Sequence, residues 1–213
     1  MNFIGNNCKI DPTAIIGDNC CIGDNTIIRK NVIIGDNVTI GENCVIGETP
    51  SVWGSSPDDE RFNKKLIIGD RCCFKPFVFI ERGFSHDSKI GNNCFFSSLC
   101  GVGHDLIMGD NCLLFPQTCL HGNVTVGDNV LFYTCSMVMN DVNIGSNSTI
   151  YFRSFVKKSF PERSFIIGED SDTLKEYCKK RNFLKHASKT LQRIKDLEDT
   201  INGKDRREHQ EEI

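Results

Sequence analysis

The stretch GVGHDLIMGDNCLLFPQTCLHGNV, Gly101 to Val124, carries two histidines, His104 followed by Asp105 and His121 followed by Gly122. Imidazole titrates near neutral pH and is the commonest general base, and a neighbouring carboxylate can orient its ring or raise its basicity. A glycine backbone N–H can donate to an oxyanion that approaches closely. Together these groups suit acyl transfer. The base takes a proton from an attacking hydroxyl or amine, and the N–H holds the tetrahedral oxygen. The chemistry requires that 104 and 122 be neighbours in space although they are 18 apart in sequence.

The rest of the chain supplies that neighbourhood. From Ile4, every sixth residue is apolar through Ile46, and the pattern resumes at Ile68, Phe74 and Ile80 and again from Ile90 to Val156. Gly-Asp-Asn often follows the apolar residue, as in IGDNCC, IGDNTI and VGDNVL. This is turn chemistry, with Gly expected to supply positive φ and Asp and Asn left-handed or side-chain-bonded turns. A period of six with a turn in each unit fits neither an α-helix nor hairpins. It predicts very short strands, three per coil of 18 residues, each stacked in parallel on the next coil with the apolar residue inward. The fold class is therefore all-β, a parallel β-helix of triangular section spanning 1–168. In this register Gly122 lies beside His104 at the strand separation of ~5 Å, and Asn140 follows one coil further. His121 is one residue out of that stack, on the same surface, where it either faces a thioester arm or is simply exposed.

Two interruptions break the count. The step from Ile46 to Ile68 contains a loop over 48–66, and the step from Ile80 to Ile90 a loop over 81–89. Neither fits inside a stacked core, so both are expected to bulge outward, where function tends to sit. Asp58, Asp59 and Arg61 in the first, and Arg82 and His86 in the second, are candidates for contacts to an acceptor's hydroxyls or phosphate. Near the last coils Arg153, Lys157, Lys158 and Arg163 form a basic cluster suited to the phosphates of coenzyme A or the acidic face of an acyl carrier protein. After Gly168 the pattern stops, and 169–213 reads as a C-terminal helical extension capped by Ser171 or Asp172. Leu184, Ala187, Leu191, Ile194 and Ile201 give it near-heptad spacing, for a short coiled coil or a helix packed on the solenoid.

Composition narrows the classes. A net charge of −3 and a pI of about 6.0 argue against a nucleic-acid or anionic-membrane partner over the whole surface. No run of 18 apolar residues exists for membrane insertion, and the chain enters its repeat at Ile4 with no export signal, which predicts a cytoplasmic protein. Of the twelve cysteines, Cys8, Cys20, Cys44, Cys72, Cys94, Cys100 and Cys112 share one place in the repeat with Ala14, Thr26 and several valines. That slot is small and buried, so these cysteines are expected to be free and packed, holding neither disulfide nor metal.

At this level the chain resembles the hexapeptide-repeat acyltransferases. The repeat over about residues 3 to 168 carries the resemblance in fold, which implies that the coils are left-handed. GHDLIMGDN, LHGNVTVGDN and IERG at Ile80–Gly83 are similar to segments of the UDP-N-acetylglucosamine O-acyltransferases and of bacterial sugar acetyltransferases. The resemblance implies His104 as general base with Asp105 beside it, and Gly122 as oxyanion donor. It also implies a homotrimer whose grooves between subunits hold the donor thioester, acetyl-CoA or another acyl-CoA or acyl-ACP, with His121, Asn140, Arg153, Lys157 and Lys158 on that side. The acceptor would be a sugar or nucleotide-sugar of surface polysaccharide synthesis, met by Asp58, Asp59, Arg82 and His86. An acyl-ACP-dependent O-acyltransferase of the lipid A type is the alternative. Two departures stand out: the lipid A enzymes carry a further histidine where this chain has Gly101, and another where it has Met139. Zinc chemistry on the same scaffold, as in γ-type carbonic anhydrases, needs histidines five residues apart, and Gly109 and Val126 occupy those positions after His104 and His121. A structural solenoid of the ice-binding kind would favour a flat Thr-rich face without outward loops.

Overall fold

The computed structural model of the chain describes residues 1–51, 62–168, 172, 173, 176 and 179. Strands of mostly two residues alternate with tight corners, and every third strand pairs in parallel with its counterpart one coil on. Among the described residues this builds three sheets. The first has ten strands, from Phe3–Ile4 to Asp172–Thr173, the second eight, from Lys9–Ile10 to Phe155–Val156, and the third seven, from Ile15–Ile16 to Asn143–Ile144. The result is a three-sided parallel β-solenoid, as the period of six requires.

The inward residue of each strand is buried against its equivalents above and below. Ile22, Ile40, Phe74, Phe96, Leu114, Phe132 and Ile150 form one such column, each with no more than 1% exposure. Phe74 and Phe96 stack with ring centroids 4.8 Å apart. Ile4, in the first described coil, is half exposed.

The corners divide their labour differently from the sequence expectation. Positive φ falls on the Asn of Gly-Asp-Asn, as at Asn19, Asn25, Asn37, Asn111 and Asn129, and not on the Gly. Asn tolerates this region better than other residues with a Cβ. The glycine answers a different demand, the close approach of the next coil. A Cβ on Gly91 would lie 2.5 Å from the carbonyl oxygen of Gly109, and one on Gly23 would lie 2.7 Å from the backbone N of Glu42.

The small slot is buried and its cysteines are free, with Cys8 partly exposed at the open end. Each thiol also points at a corner carbonyl of the neighbouring coil: Cys20 Sγ to Gly35 O at 3.2 Å, Cys72 to Gly91 O at 3.1 Å and Cys112 to Gly127 O at 3.2 Å. Thr26 does the same with its hydroxyl, donating to Gly41 O at 2.8 Å. The slot therefore takes a small side chain, and where that is Cys or Thr it also acts as a donor to the neighbouring coil.

Residues Met1–Thr173 form one compact unit and 174–213 a second. The helix expected to begin at Ser171 or Asp172 does not start there: Asp172 and Thr173 pair antiparallel with Ile167 and Ile166 and close the ten-stranded sheet. Glu176 and Lys179 are helical. The remainder of the predicted extension, with its heptad residues, lies outside the described residues, as do Asp58, Asp59 and Arg61.

Candidate active site

The eight-stranded sheet carries the site. Its register pairs Ile80 with Val102, Val102 with Leu120 and Leu120 with Val138. The corner that follows each strand therefore stacks as the repeat predicts. His104 O accepts the N–H of Asn123 at 2.8 Å, and Gly122 O accepts that of Asp141 at 3.2 Å. The imidazole of His104 lies directly over Gly122, so closely that a Cβ there would sit 2.6 Å from both Cε1 and Nε2. His104, His121, Gly122 and Asn140 all line one cleft of about 320 Å³, together with Ser51, Glu81 and Cys119.

Asp105 occupies the left-handed corner position at φ 58° and is 3% exposed. Its Oδ2 lies 3.1 Å from His104 Nδ1. Its Oδ1 accepts the backbone N–H groups of Phe84, Ser85 and His86 at 2.7, 2.9 and 3.1 Å. Burial on its own would raise this carboxyl's pKa. The N–H groups of Phe84, His86 and Ser85, with the His104 ring, outweigh burial and hold it below the ordinary carboxylate value. Paired with an acceptor-only carboxylate, Nδ1 carries the ring proton and Nε2 keeps its lone pair for the cleft. The same carboxylate draws the second loop over the base, so the Phe84 ring meets the imidazole edge-on at 5.6 Å between centroids.

Gly122 N–H has no hydrogen-bond acceptor among the described residues. At some equivalent corners the next coil caps this amide, as Asp36 Oδ1 does for Asp18 N–H at 2.7 Å, Asp110 Oδ1 for Asn92 N–H at 2.7 Å and Ser146 Oγ for Asp128 N–H at 3.0 Å, whereas among the described residues the amides of Glu42, Ser98 and Thr134 are uncapped like that of Gly122. The residue one coil beyond Gly122 is Asn140, whose exposed side chain makes no such bond. A donor therefore remains available beside the base.

Other expected residues fall elsewhere. Arg82 is 1% exposed, and its guanidinium donates inward to Phe62 O at 3.0 Å and Gly47 O at 3.1 Å. It braces the two loops from inside, which corrects the expectation of an acceptor contact at the surface. The strand here runs on to Glu81 opposite a bulge at Gly47, whose φ is 80°, and this turns the next side chain inward. His86 is exposed and lines a separate depression with Lys64, Asp87 and Lys89, away from the His104 cleft. Lys157 and Lys158 lie two coils beyond His121 and Gly122 in the same register, ~10 Å away at the strand spacing. Their ammonium groups sit over the Phe155 and Phe160 rings at 4.9 and 5.4 Å. Arg153 is exposed at a corner with φ 53°.

Sequence reasoning missed Glu81 and Ser51. The carboxylate of Glu81 is 4% exposed and accepts the backbone N–H of His104 at 3.1 Å. Counting six-residue steps places residue 82, not 81, opposite His104, and only the bulge at Gly47 shows otherwise. Among the described residues no three His, Cys, Asp or Glu side chains are placed to hold a metal ion, and no helix is long and apolar enough to cross a membrane.

Two kinds of comparison bear on this architecture. The family described as bacterial transferase hexapeptide (six repeats) matches residues 3–32 and 13–48. Among solved structures, a UDP-N-acetylglucosamine acyltransferase from Campylobacter jejuni superposes with a TM-score of 0.73 at 20% identity, covering 81% of this chain and 69% of that one. This is the hexapeptide-repeat fold. The hexapeptide-repeat likeness extends to a UDP-N-acetylglucosamine O-acyltransferase from Moraxella catarrhalis, with a TM-score of 0.58 at 25% identity over 81% of this chain and 71% of that one. It extends also to a UDP-N-acetylglucosamine acyltransferase from Bacteroides fragilis, with a TM-score of 0.65 at 24% identity over 78% and 71%. Comparison with curated protein sequences gives no match.

Proposed function

We propose that the protein transfers an acyl group from a thioester to a hydroxyl or amine of a sugar or nucleotide-sugar. The observation that carries this reading is the stacking of His104 on Gly122: a base aligned by Asp105, beside a backbone donor with no acceptor in the described chain. The acceptor's O–H or N–H attacks the thioester carbonyl carbon while its proton passes to His104 Nε2. A C–O or C–N bond forms, and the carbonyl oxygen becomes an oxyanion held by Gly122 N–H. Collapse breaks the C–S bond, and His104 returns the proton to the leaving thiolate. The solved structures sharing this fold, named as UDP-N-acetylglucosamine acyltransferases, support a sugar acceptor.

The donor arm runs from the cleft along the eight-stranded sheet to Lys157 and Lys158, whose charges suit coenzyme A phosphates or an acidic carrier protein. Acetyl-CoA is the donor favoured here, and an acyl-ACP of the lipid A pathway is the alternative.

The active form is a homotrimer. Phe77 and Leu99 adjoin along one edge of the solenoid, each 54% exposed and each at φ 64°. A left-handed residue with a Cβ costs roughly 1–2 kcal/mol, and in a lone chain no burial of the side chain offsets it. Phe79 and Met137 extend the apolar surface from this edge across the sheet that bears the cleft. A second copy seated on that edge would cover it and wall the cleft.

Thiol release from acetyl-CoA and from acyl-ACP, measured against a panel of UDP-sugars and amino sugars, tests the reaction. Turnover with one donor–acceptor pair is expected, and no release above hydrolysis with any pair refutes the proposal. Light scattering tests the assembly, and a monomer at micromolar concentration refutes the shared groove.

A further inference from the structure

The Glu81 carboxylate has no part in the proton transfer described above, yet its side chain is nearly sealed from solvent and borders the reaction cleft. One oxygen, Oε2, accepts the backbone N–H of His104 at 3.1 Å. The other, Oε1, accepts the backbone N–H of Ser51 at 3.0 Å and also the Ser51 hydroxyl. Ser51, at the start of the first loop, also lines the cleft. One side chain thus ties the corner that bears the base to the start of the first loop, which lies beyond the strand ladder. Three donors converge on it, and a carboxylate suits them because it is acceptor-only with room for all three. A glutamine offers one carbonyl oxygen and turns an NH2 group toward either His104 N–H or Ser51.

We infer that Glu81 is a positioning residue that sets the distance between the base and the start of the first loop, on the acceptor side of the cleft. The inference rests on the reading of His104 as the base. It predicts an uneven kinetic signature. Glu81→Gln lowers kcat by about 10- to 100-fold, as expected for a misplacement of the base by a fraction of an ångström to one ångström. It also raises KM for the acceptor and leaves KM for the thioester donor unchanged. Ser51→Ala loses only the hydroxyl tie, so it raises acceptor KM severalfold and keeps kcat within about twofold. The double variant shows no further rise in acceptor KM over Glu81→Gln, because the two residues act through one contact.

The test measures donor and acceptor KM and kcat for these three variants, with backbone amide NMR of the labelled wild type and of Glu81→Gln. In the inferred arrangement, the His104 and Ser51 amide protons both lose a charge-assisted hydrogen bond and both shift upfield. Unchanged kcat and acceptor KM in Glu81→Gln would overturn the inference. So would equal rises in the two KM values together with a lowered Tm, which mark a structural role. Should the wild type release thiol from neither donor, the acyl-transfer reading fails, and the amide spectra still judge Glu81: unshifted His104 and Ser51 amides in Glu81→Gln refute the bridge.

Discussion

Adding one methyl group at Gly122 separates the base's position from the fold's stability. The ideal Cβ at this position lies 2.6 Å from His104 Cε1 and Nε2, against an ordinary carbon contact of 3.4 Å or more. The ring must retreat by about 1 Å. It is not free to do so without loss, since Asp105 grips Nδ1 and Phe84 meets its edge. A displacement of about 1 Å at a reacting group costs on the order of 10²-fold in rate, so Gly122→Ala is expected to lower kcat/KM by about that factor. The stability cost is that of a side-chain displacement, about 1–2 kcal/mol. Gly103→Ala is the control. Its Cβ would lie 2.9 Å from the backbone N of Gly122 and 2.9 Å from the backbone C of His121. Backbone cannot step aside as a ring can, so this variant is expected to lose the larger share of stability. Thioester-release kinetics and thermal unfolding of both proteins decide the matter. Full activity in Gly122→Ala, with its fold intact, would show that the ring does not work from its place above Gly122, and the base assignment would fall with it.

Replacing the base itself, His104→Gln, is expected to cut kcat by 10²- to 10⁴-fold with little change in Tm, read by the same release assay. Asp105→Asn keeps a carbonyl oxygen for the three loop amides but removes the charge from those bonds and sets an NH2 donor against the ring nitrogen, and is expected to cost about 2 kcal/mol in urea unfolding as well as activity. The Asp105 carboxyl is held below its ordinary value of 3.8 in the folded protein. Its contribution to stability is therefore fully present above the unfolded-state pKa and lost as pH falls through the lowered folded one. Urea midpoints should fall as pH drops below about 4, and this dependence should be shallower in Asp105→Asn. Leu99→Asn puts a residue suited to φ 64° on the apolar edge. It is expected to leave the single chain as stable or more so while shifting the light-scattering mass from trimer toward monomer, and an unchanged trimer would remove that edge from the interface.

Most of the scaffold could be read from the period of six, because stacking is a one-dimensional rule. An inward apolar residue every sixth position fixes the coil, and the coil fixes which residues lie 18 apart in neighbouring strands. Hence the pairing of His104 with Gly122 and then Asn140 was legible without coordinates. The division of labour within Gly-Asp-Asn was not. Both Gly and Asn tolerate positive φ, and composition alone does not reveal that the neighbouring coil leaves no room for a Cβ at the glycine. The cysteine slot shows the same limit: its size is visible in the substitution of Ala and Val for Cys, whereas the carbonyl facing the thiol belongs to another coil.

The residues around the base were harder to read because they lie where the repeat is interrupted. Within the regular coils, a side chain's direction follows from its place in the unit of six. At Gly47 the bulge adds a residue, the facing strand continues through Glu81, and the count no longer gives direction. Arg82 then turns inward and Glu81 meets His104. The interruptions are also what equip the site. An Asp at 140 could cap the amide of residue 122 as Asp36 caps Asp18, and without the inserted loop the left-handed corner at 105 would face solvent. Here Asn140 leaves the amide uncapped, and the four extra residues between Ile80 and Ile90 let the backbone of Phe84 to His86 fold onto Asp105. The regular coils bring base and donor together, the side chain at 140 leaves the donor available, and the inserted loop holds the base in line.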